Sequence, residues 1–357
     1  MLKSFRAPKI PLALLTLVLS LPLLFCGGGN GAGSTSTPTT GTSSPVFTNY
    51  HMAGANTPVR DPSVTRVGST YYVFGTDTGG PVQGSLPIRC STDGVNWTLC
   101  GSVFEQIPAW VRAQVPGILG LWAPDISFFN GLYHVYYAGS TFGSNTSVIG
   151  LATNATLNST DPAYSWVDQG EVLGSVSTDD FNAIDPTILV DTDGSIWLTY
   201  GSYWTGIKQR QLDPAAGMLL TSNPTVYSLA ERPNVQFDPI EGTSLVHKDT
   251  NYYLFASFDN CCAADPFQST YRIMVGRGSG PHGPFVDENG IPMLEGGGTQ
   301  LLAGNGATWN APGGATVYLD AQQGDAIVFH ALHLPDGTPY LFVNSLIWVN
   351  GWPQIQP

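Results

Sequence analysis

The sequence predicts an all-β fold, a five-bladed β-propeller with a central funnel. An acidic residue precedes an apolar, β-branched run at four places, and these acids, spaced 64, 60 and 56 residues apart, are Asp61, Asp125, Asp185 and Glu241. Each run is followed by a turn and a second run rich in aromatic residues, while helical periodicity is nearly absent. Repeats of this length, built from about four short strands, are typical of propeller blades.

The first 26 residues predict export rather than a part of the fold. Three basic residues precede an apolar run over 10–25, which is shorter than the roughly 20 residues of a membrane span, so a secretory signal is expected. Cys26 and the Gly/Ser/Thr-rich linker over 27–45 resemble a bacterial lipoprotein signal, with Cys26 as the lipidated residue. The alternative is ordinary cleavage nearby, because Phe25 is not the small residue usual before a lipidated cysteine. We expect a bacterial protein that is anchored at the cell surface or outer membrane, or secreted.

The charge balance of the remaining domain, 46–357, excludes several classes of partner. Loss of the three N-terminal basic residues leaves 10 Lys and Arg against 26 Asp and Glu. A protein this acidic lacks the electrostatic attraction that nucleic acids and other anionic polymers require. A neutral substrate and a monomeric state are expected, and a membrane is contacted only through the predicted anchor.

The blade boundaries follow from the repeated runs. The fifth unit is predicted to begin near Gly313, with its second strand over 325–333 and the run 338–343 finishing the blade. The segment 46–59 is expected to supply a closing strand. A segment without strand character, 108–121, is expected to hold a short helix.

The cysteines predict one disulfide, and they leave the redox state of a second pair open. Cys90 and Cys100 flank an Asp-Gly turn, so a disulfide across this hairpin is expected in an exported protein. Cys261 and Cys262 are adjacent, and both a vicinal disulfide and two free thiols remain open. No CxxC or Cys/His zinc spacing occurs, which argues against a thiolate metal site.

The repeated acids predict hydrolytic chemistry at the axis. A single Asp before Pro is usually a turn residue, but four acids at equivalent positions of inner strands would converge despite their mutual repulsion. Hydrolysis of a glycosidic bond needs one protonated carboxyl group as acid and one ionised group as base. A third carboxylate can raise the pKa of the acid by repulsion.

On these residues the chain resembles the glycoside hydrolases of family 43, and within them the endo-1,5-α-L-arabinanases. Three family motifs occur in order: Asp61-Pro62-Ser63-Val64, Asn182-Ala183-Ile184-Asp185-Pro186 and Glu241-Gly242. Further similar segments are 121–126, 201–207, 257–262 and 293–299, so the resemblance covers the whole domain.

The resemblance implies roles for the three carboxylates. Asp61 is the expected general base, Glu241 the expected general acid, and Asp185 the residue that raises the pKa of Glu241 and orients it. The implied reaction is the cleavage, with inversion, of internal α-1,5-linked bonds of arabinan, a neutral plant polysaccharide. The chemistry itself requires no cofactor.

Six residues are predicted to bind substrate, three aromatic and three polar: Trp122, Tyr203, Trp204, Asp125, Asn182 and Ser202. The alternatives are blade packing for the aromatic residues, a backbone hydrogen bond for Asp125, and a turn for Asn182. Phe142 and Trp166 are expected to be structural.

Two departures from the family pattern bear on the axis and the mechanism. Arg60 replaces the His that usually precedes the first catalytic Asp, and Gly314 replaces the His of a calcium-associated axial site. A structural calcium is therefore in question, with His330 as a possible axial ligand or as a buried His satisfied by hydrogen bonding. Two other functions remain open. One is an exo-acting α-L-arabinofuranosidase or β-xylosidase of the same family, and the other is a sugar-binding propeller without catalysis.

Overall fold

Five sheets of short strands are arranged around one axis, which confirms the predicted five-bladed propeller. The computed structural model describes residues 52–79 and 84–356, which lie in one compact unit, Ser43–Pro357. The predicted signal sequence, the linker and Cys26 lie outside the described residues. No helix in the described part of the chain is long and apolar enough to cross a membrane.

Each blade is an antiparallel meander that runs outward from an inner strand. The inner strands are β2 (Ser63–Val67), β6 (Leu121–Phe129), β10 (Thr187–Val190), β14 (Ile240–Lys248) and β18 (Trp309–Tyr318). The second strands are β3 (Thr70–Phe74), β7 (Leu132–Gly139), β11 (Ile196–Tyr200), β15 (Asn251–Phe258) and β19 (Ala326–His333). The third strands are β4 (Ser85–Ser91), β8 (Ser147–Asn154), β12 (Ile207–Leu212), β16 (Arg272–Gly278) and β20 (Pro339–Val349). The outer strands are β5 (Asn96–Phe104), β9 (Val167–Ser175), β13 (Tyr227–Ala230), β17 (Thr299–Ala303) and β21 (Trp352–Ile355).

The hydrophobic core is divided among the blade interfaces. Each neighbouring pair of blades shares its own cluster of buried side chains, and the pair formed by blades 5 and 1 is included. The strands between the edges are therefore buried on both faces, which explains apolar runs without polar alternation, such as residues 135–138. Adjacent inner strands also contact each other around the whole ring, so their starting residues meet at the axis.

The segment 46–59, which we predicted to supply a closing strand, does contribute a short strand. Its described part contributes β1 (Ala53–Gly54), which pairs in parallel with β5 at the outer edge of blade 1. Blade 5 is completed by its own fourth strand, β21, and not by the run 338–343, because β20 turns back at Asn350 and pairs with β21. The segment before Asp61 reaches blade 5 through the backbone bonds Val59 N–H to Pro339 O and Leu341 N–H to Asn56 O.

The expected helix and hairpin disulfide are both present. The helix α1 (Ala109–Gln114) lies in the link between blades 1 and 2, with Val111 buried against that interface. Cys90 and Cys100 are bonded across the hairpin of β4 and β5, and Cys261 and Cys262 form a vicinal disulfide.

Candidate active site

A funnel of about 1000 Å³ opens at the axis, and residues from all five blades line it. Asp61, Asp185 and Glu241 are among the lining residues, although they belong to blades 1, 3 and 4. The predicted convergence of these three carboxylates is therefore found in the structure. Ring closure brings them together, because each stands at or just before the start of an inner strand.

A left-handed backbone conformation sets the direction of two of these carboxylates. Asp61 has a φ of 46° and Asp185 a φ of 55°, values that residues other than Gly rarely adopt. In blade 4 the corresponding irregularity follows the acid, since Gly242 has a φ of 56° and the β14–β15 register shifts there. Such local kinks re-aim side chains and are concentrated at functional sites.

Asp61 is held by two neighbours at the funnel wall. Thr76 Oγ1 donates a hydrogen bond to Asp61 Oδ2 at 2.6 Å, and the Asp61 backbone N–H donates to His330 Nδ1 at 3.2 Å. The side chain of Asp61 is 29% exposed, whereas that of His330 is 1% exposed. A carboxylate that is both oriented and open to solvent has the surroundings that a general base requires.

Asp185 and Glu241 both line the funnel and lie close enough for their charges to interact. Burial raises the pKa of Asp185 well above the usual range, and the charges of Glu241 and Asp61 raise it further. Burial also raises the pKa of Glu241. Since two neighbouring carboxylates do not ionise independently, the pair retains a proton at a pH where an isolated carboxyl group has lost it. Asp185 Oδ2 also accepts the Gly242 N–H at 3.0 Å, which fixes the backbone beside Glu241.

Two hydroxyl groups orient Glu241. Ser202 Oγ donates to Glu241 Oε2 at 2.6 Å, so this predicted substrate-binding residue contacts the expected acid directly. The hydroxyl of Tyr271, a residue that the sequence interpretation missed, also donates to Glu241. Tyr271 is 3% exposed and precedes the third strand of blade 4, so the repeat of acids before inner strands gave no signal for it.

Asp125, which we predicted to bind substrate, is not among the residues that line the funnel. It is 6% exposed; Oδ1 accepts from Ser63 Oγ at 3.1 Å, and Oδ2 accepts from the Ile188 N–H at 3.0 Å. Asp125 therefore joins blades 1, 2 and 3. Burial raises its pKa to about 7.

The other predicted substrate-binding residues line the funnel. Trp122, Tyr203 and Trp204 are at its wall, as is Asn182, whose Oδ1 accepts from Ser147 Oγ at 2.7 Å. Phe142, which we expected to be structural, also lines the funnel and is 79% exposed. Trp166 packs against Phe74 in an edge-to-face arrangement, with 5.8 Å between the ring centroids.

The residues at the axis bear on the structural calcium that the sequence puts in question. Calcium binds about six to eight oxygen atoms. In the described part of the chain, no group of three or more His, Cys, Asp or Glu side chains is placed to hold a metal ion. His330 Nε2, the candidate axial ligand, is buried without a hydrogen-bond partner among the described atoms. A Cβ at Gly314 would lie 3.1 Å from His330 Nδ1, so His330 occupies the space next to the position of the expected ligand.

Comparison with known proteins identifies the family. Residues 55–353 match the family described as Glycosyl hydrolases family 43. The chain is 41% identical over 303 residues to the extracellular endo-α-(1→5)-L-arabinanase 1 of Bacillus subtilis (strain 168), covering 84% of this chain and 88% of that protein. It is 38% identical over 311 residues to the extracellular exo-α-(1→5)-L-arabinofuranosidase ArbA of Cellvibrio japonicus (strain Ueda107), covering 83% and 86%.

A solved structure agrees with the sequence relatives. The Cellvibrio cellulosa α-L-arabinanase in complex with arabinohexaose superposes with a TM-score of 0.76 at 37% identity, covering 84% of this chain and 95% of that one. The family match and two relatives of 41% and 38% identity, each over more than four-fifths of the chain, confirm the resemblance: this protein belongs to the glycosyl hydrolases of family 43.

Proposed function

We propose that this arabinanase-type glycoside hydrolase cleaves internal α-1,5-L-arabinofuranosyl bonds of arabinan. The observation that carries the proposal is the meeting of Asp61, Asp185 and Glu241 in one funnel lined by aromatic rings. The name of the Bacillus subtilis relative, an endo-arabinanase, supports both the substrate and the internal position of cleavage. The arabinohexaose bound to the Cellvibrio cellulosa enzyme supports the same class of substrate.

The proposed mechanism divides the work among the three carboxylates. Glu241 donates its proton to the departing sugar oxygen, and Asp61 removes a proton from the water that attacks the anomeric carbon, so the configuration is inverted. Asp185 shares the buried proton with Glu241 and holds the backbone beside it. Ser202 and Tyr271 orient the Glu241 carboxyl group and accommodate its charge after the proton has left.

The three roles are tested by substitution. Glu241→Gln and Asp61→Asn should each lower kcat on linear arabinan by roughly 10²- to 10⁴-fold, the usual contribution of general acid–base catalysis. Asp320→Asn is the matched control, since Asp320 pairs with Arg66 and does not line the funnel. If either funnel variant retains the activity of the control, the proposed roles are wrong. Nuclear magnetic resonance of the first product identifies its anomer and thereby tests inversion.

An exo-acting function is the second candidate, because the Cellvibrio japonicus relative is named an exo-arabinofuranosidase. A time course on linear arabinan distinguishes the two. Internal cleavage yields a range of oligosaccharides and a rapid fall in viscosity, whereas exo action yields one short product from the beginning.

Export and the absence of a required cofactor are also proposed. Both relatives are named extracellular, which supports secretion of this chain. Incorporation of labelled fatty acid that is lost in Cys26→Ser would support the lipid anchor. Because no group of three or more His, Cys, Asp or Glu side chains among the described residues is placed to hold a metal ion, we expect a chelator to leave activity unchanged. Loss of activity that added calcium restores would contradict this proposal.

A further inference from the structure

The vicinal disulfide Cys261–Cys262 lies at the funnel, in the loop that follows β15. Both cysteines are partly exposed, and both line the cavity that contains the three carboxylates. The hydrolytic mechanism has no use for these sulfur atoms. Their place among the lining residues therefore requires a separate explanation.

Holding the loop in place does not explain the disulfide, because other bonds already do so. Asp259 accepts from Arg232 Nη1 at 2.6 Å and from Arg272 Nε at 2.7 Å. The Asn260 carbonyl oxygen accepts from the N–H groups of Thr270 and Tyr271. A disulfide between adjacent residues also closes the shortest loop, so it constrains the unfolded chain less than a longer link does.

The two sulfur atoms contact the neighbours of both reacting carboxylates. Arg60 Nη1 donates to Cys262 Sγ at 3.6 Å, and Arg60 directly precedes Asp61. Cys261 packs against the buried cluster of Tyr271, Ala311 and Leu332, and Tyr271 donates to Glu241. The disulfide thus lies beside the position where the scissile bond must be held.

The aromatic side chains that are exposed or half-buried at the funnel wall come from a different part of the ring. Trp122 and Phe142 belong to blade 2, Trp204 to blade 3, and Phe237 to the segment before β14. Where blades 4, 5 and 1 form the wall, the apolar lining consists of the disulfide, Pro58 and Pro339, with Tyr271 almost fully buried behind it. A bound sugar chain that stacks on the aromatic side needs an apolar surface here as well.

We propose that the Cys261–Cys262 disulfide and Arg60 form a sugar-binding surface of the funnel, which rests on the glycan-cleaving function proposed above. The ligand is one furanose unit of a neutral glycan chain. The sulfur atoms present a soft, polarizable surface to the apolar face of the ring, and the Arg60 guanidinium, oriented by Cys262, donates to its hydroxyl groups. The disulfide between adjacent cysteines holds this surface rigid, so that little conformational freedom is lost when the sugar binds.

Selective reduction tests the proposal. A trialkylphosphine breaks the S–S bond; each sulfur gains one electron and one proton, and the phosphine becomes its oxide with oxygen from water. In the double variant Cys90→Ser/Cys100→Ser, the vicinal disulfide is the only one between described cysteines that the phosphine can reduce. Reduction of this variant should raise KM for linear arabinan roughly three- to tenfold, the range expected for the loss of one soft contact, and change kcat by less than about twofold.

The matched variant is Cys261→Ser/Cys262→Ser, which should show the raised KM without reductant and no further change with it. Arg60→Gln should raise KM in the same direction. An unchanged KM after complete reduction, verified by thiol alkylation and mass spectrometry, would overturn the proposal, as would an equal effect of phosphine on both variants. A wild-type protein inactive on arabinan would instead refute the proposed function. If Cys261→Ser/Cys262→Ser does not fold, the change in KM on reduction of Cys90→Ser/Cys100→Ser still tests the proposal.

Discussion

The close approach of Gly314 to Asp61 predicts that one added methyl group disables the proposed general base. Gly314 has a φ of 55°, and a Cβ built there would lie 2.3 Å from Asp61 Oδ1. Real Cβ atoms essentially never come nearer than 3.0 Å, so one of the two groups must move by at least 0.7 Å. A displacement of about 1 Å at a reacting group can cost 10²-fold in rate. Gly314→Ala should therefore lower kcat on linear arabinan by between about tenfold and 10²-fold.

Gly68→Ala is the control that separates this clash from the free-energy cost of placing Ala in a left-handed backbone conformation. Gly68 has a similar φ of 61°, but nothing lies within 4 Å of a Cβ there. Both variants bear the cost of about 1–2 kcal/mol for a left-handed L residue, which lowers Tm by about 2–4 °C per kcal/mol. Only Gly314→Ala should also lose activity when both are assayed well below Tm. Equal kcat values in the two variants would refute the reasoning.

Three further predictions concern the groups around the carboxylates. Ser202→Ala and Tyr271→Phe each remove a hydrogen bond that favours ionised Glu241, so the pKa of Glu241 should rise. The basic limb of the pH–rate profile should then move to higher pH. A basic limb that stays in place in both variants would show that these hydrogen bonds do not set the pKa of Glu241. Asp185→Asn removes a repelling charge and should move that limb to lower pH with reduced kcat, whereas an unaltered profile would reject its role. His330→Phe removes the acceptor of the Asp61 N–H. In steady-state kinetics on arabinan, the fold-decrease in kcat should be larger than the fold-change in KM.

The lowered pKa of His330 makes its hydrogen bond with the Asp61 N–H depend on pH. Burial lowers its pKa to about 4, below the usual value of 6.5, so the folded protein favours the neutral ring. The stability that this neutral ring contributes is complete above the unfolded pKa and is lost as pH falls through about 4. Below that pH, protonated Nδ1 no longer accepts the Asp61 N–H, and the orientation of the base is lost with it.

The propeller and the three carboxylates were predictable because their signals are local and repeated. Apolar runs bounded by turns mark strands wherever they occur, and an acid before the first strand of a repeat recurs at Asp61, Asp185 and Glu241. Knowing that first strands line the axis is then enough to bring those acids together. Neither inference requires knowledge of which side chain contacts which.

Asp125 shows where this reasoning fails. In blades 1 and 3 the acid itself has the left-handed φ, whereas in blade 2 that conformation falls on Ala123, with a φ of 43°, two residues earlier. The register of β6 shifts between Trp122 and Asp125, so the acid lies inside the strand and faces a neighbouring blade. The position of a bulge is set by packing at the axis, and the residues before Ile126 resemble those of the other blades too closely to reveal it.

The sequence by itself determined the architecture and the family and predicted the three carboxylates that meet in the funnel, because each depends on residue types at a regular spacing. Only the tertiary structure decided that Tyr271 contacts Glu241, that His330 accepts from Asp61 where Gly314 leaves space, and that the vicinal disulfide lines the funnel. These contacts join residues from different blades or from different strands of one blade. Their geometry arises when the ring closes, and no local pattern in the chain encodes it.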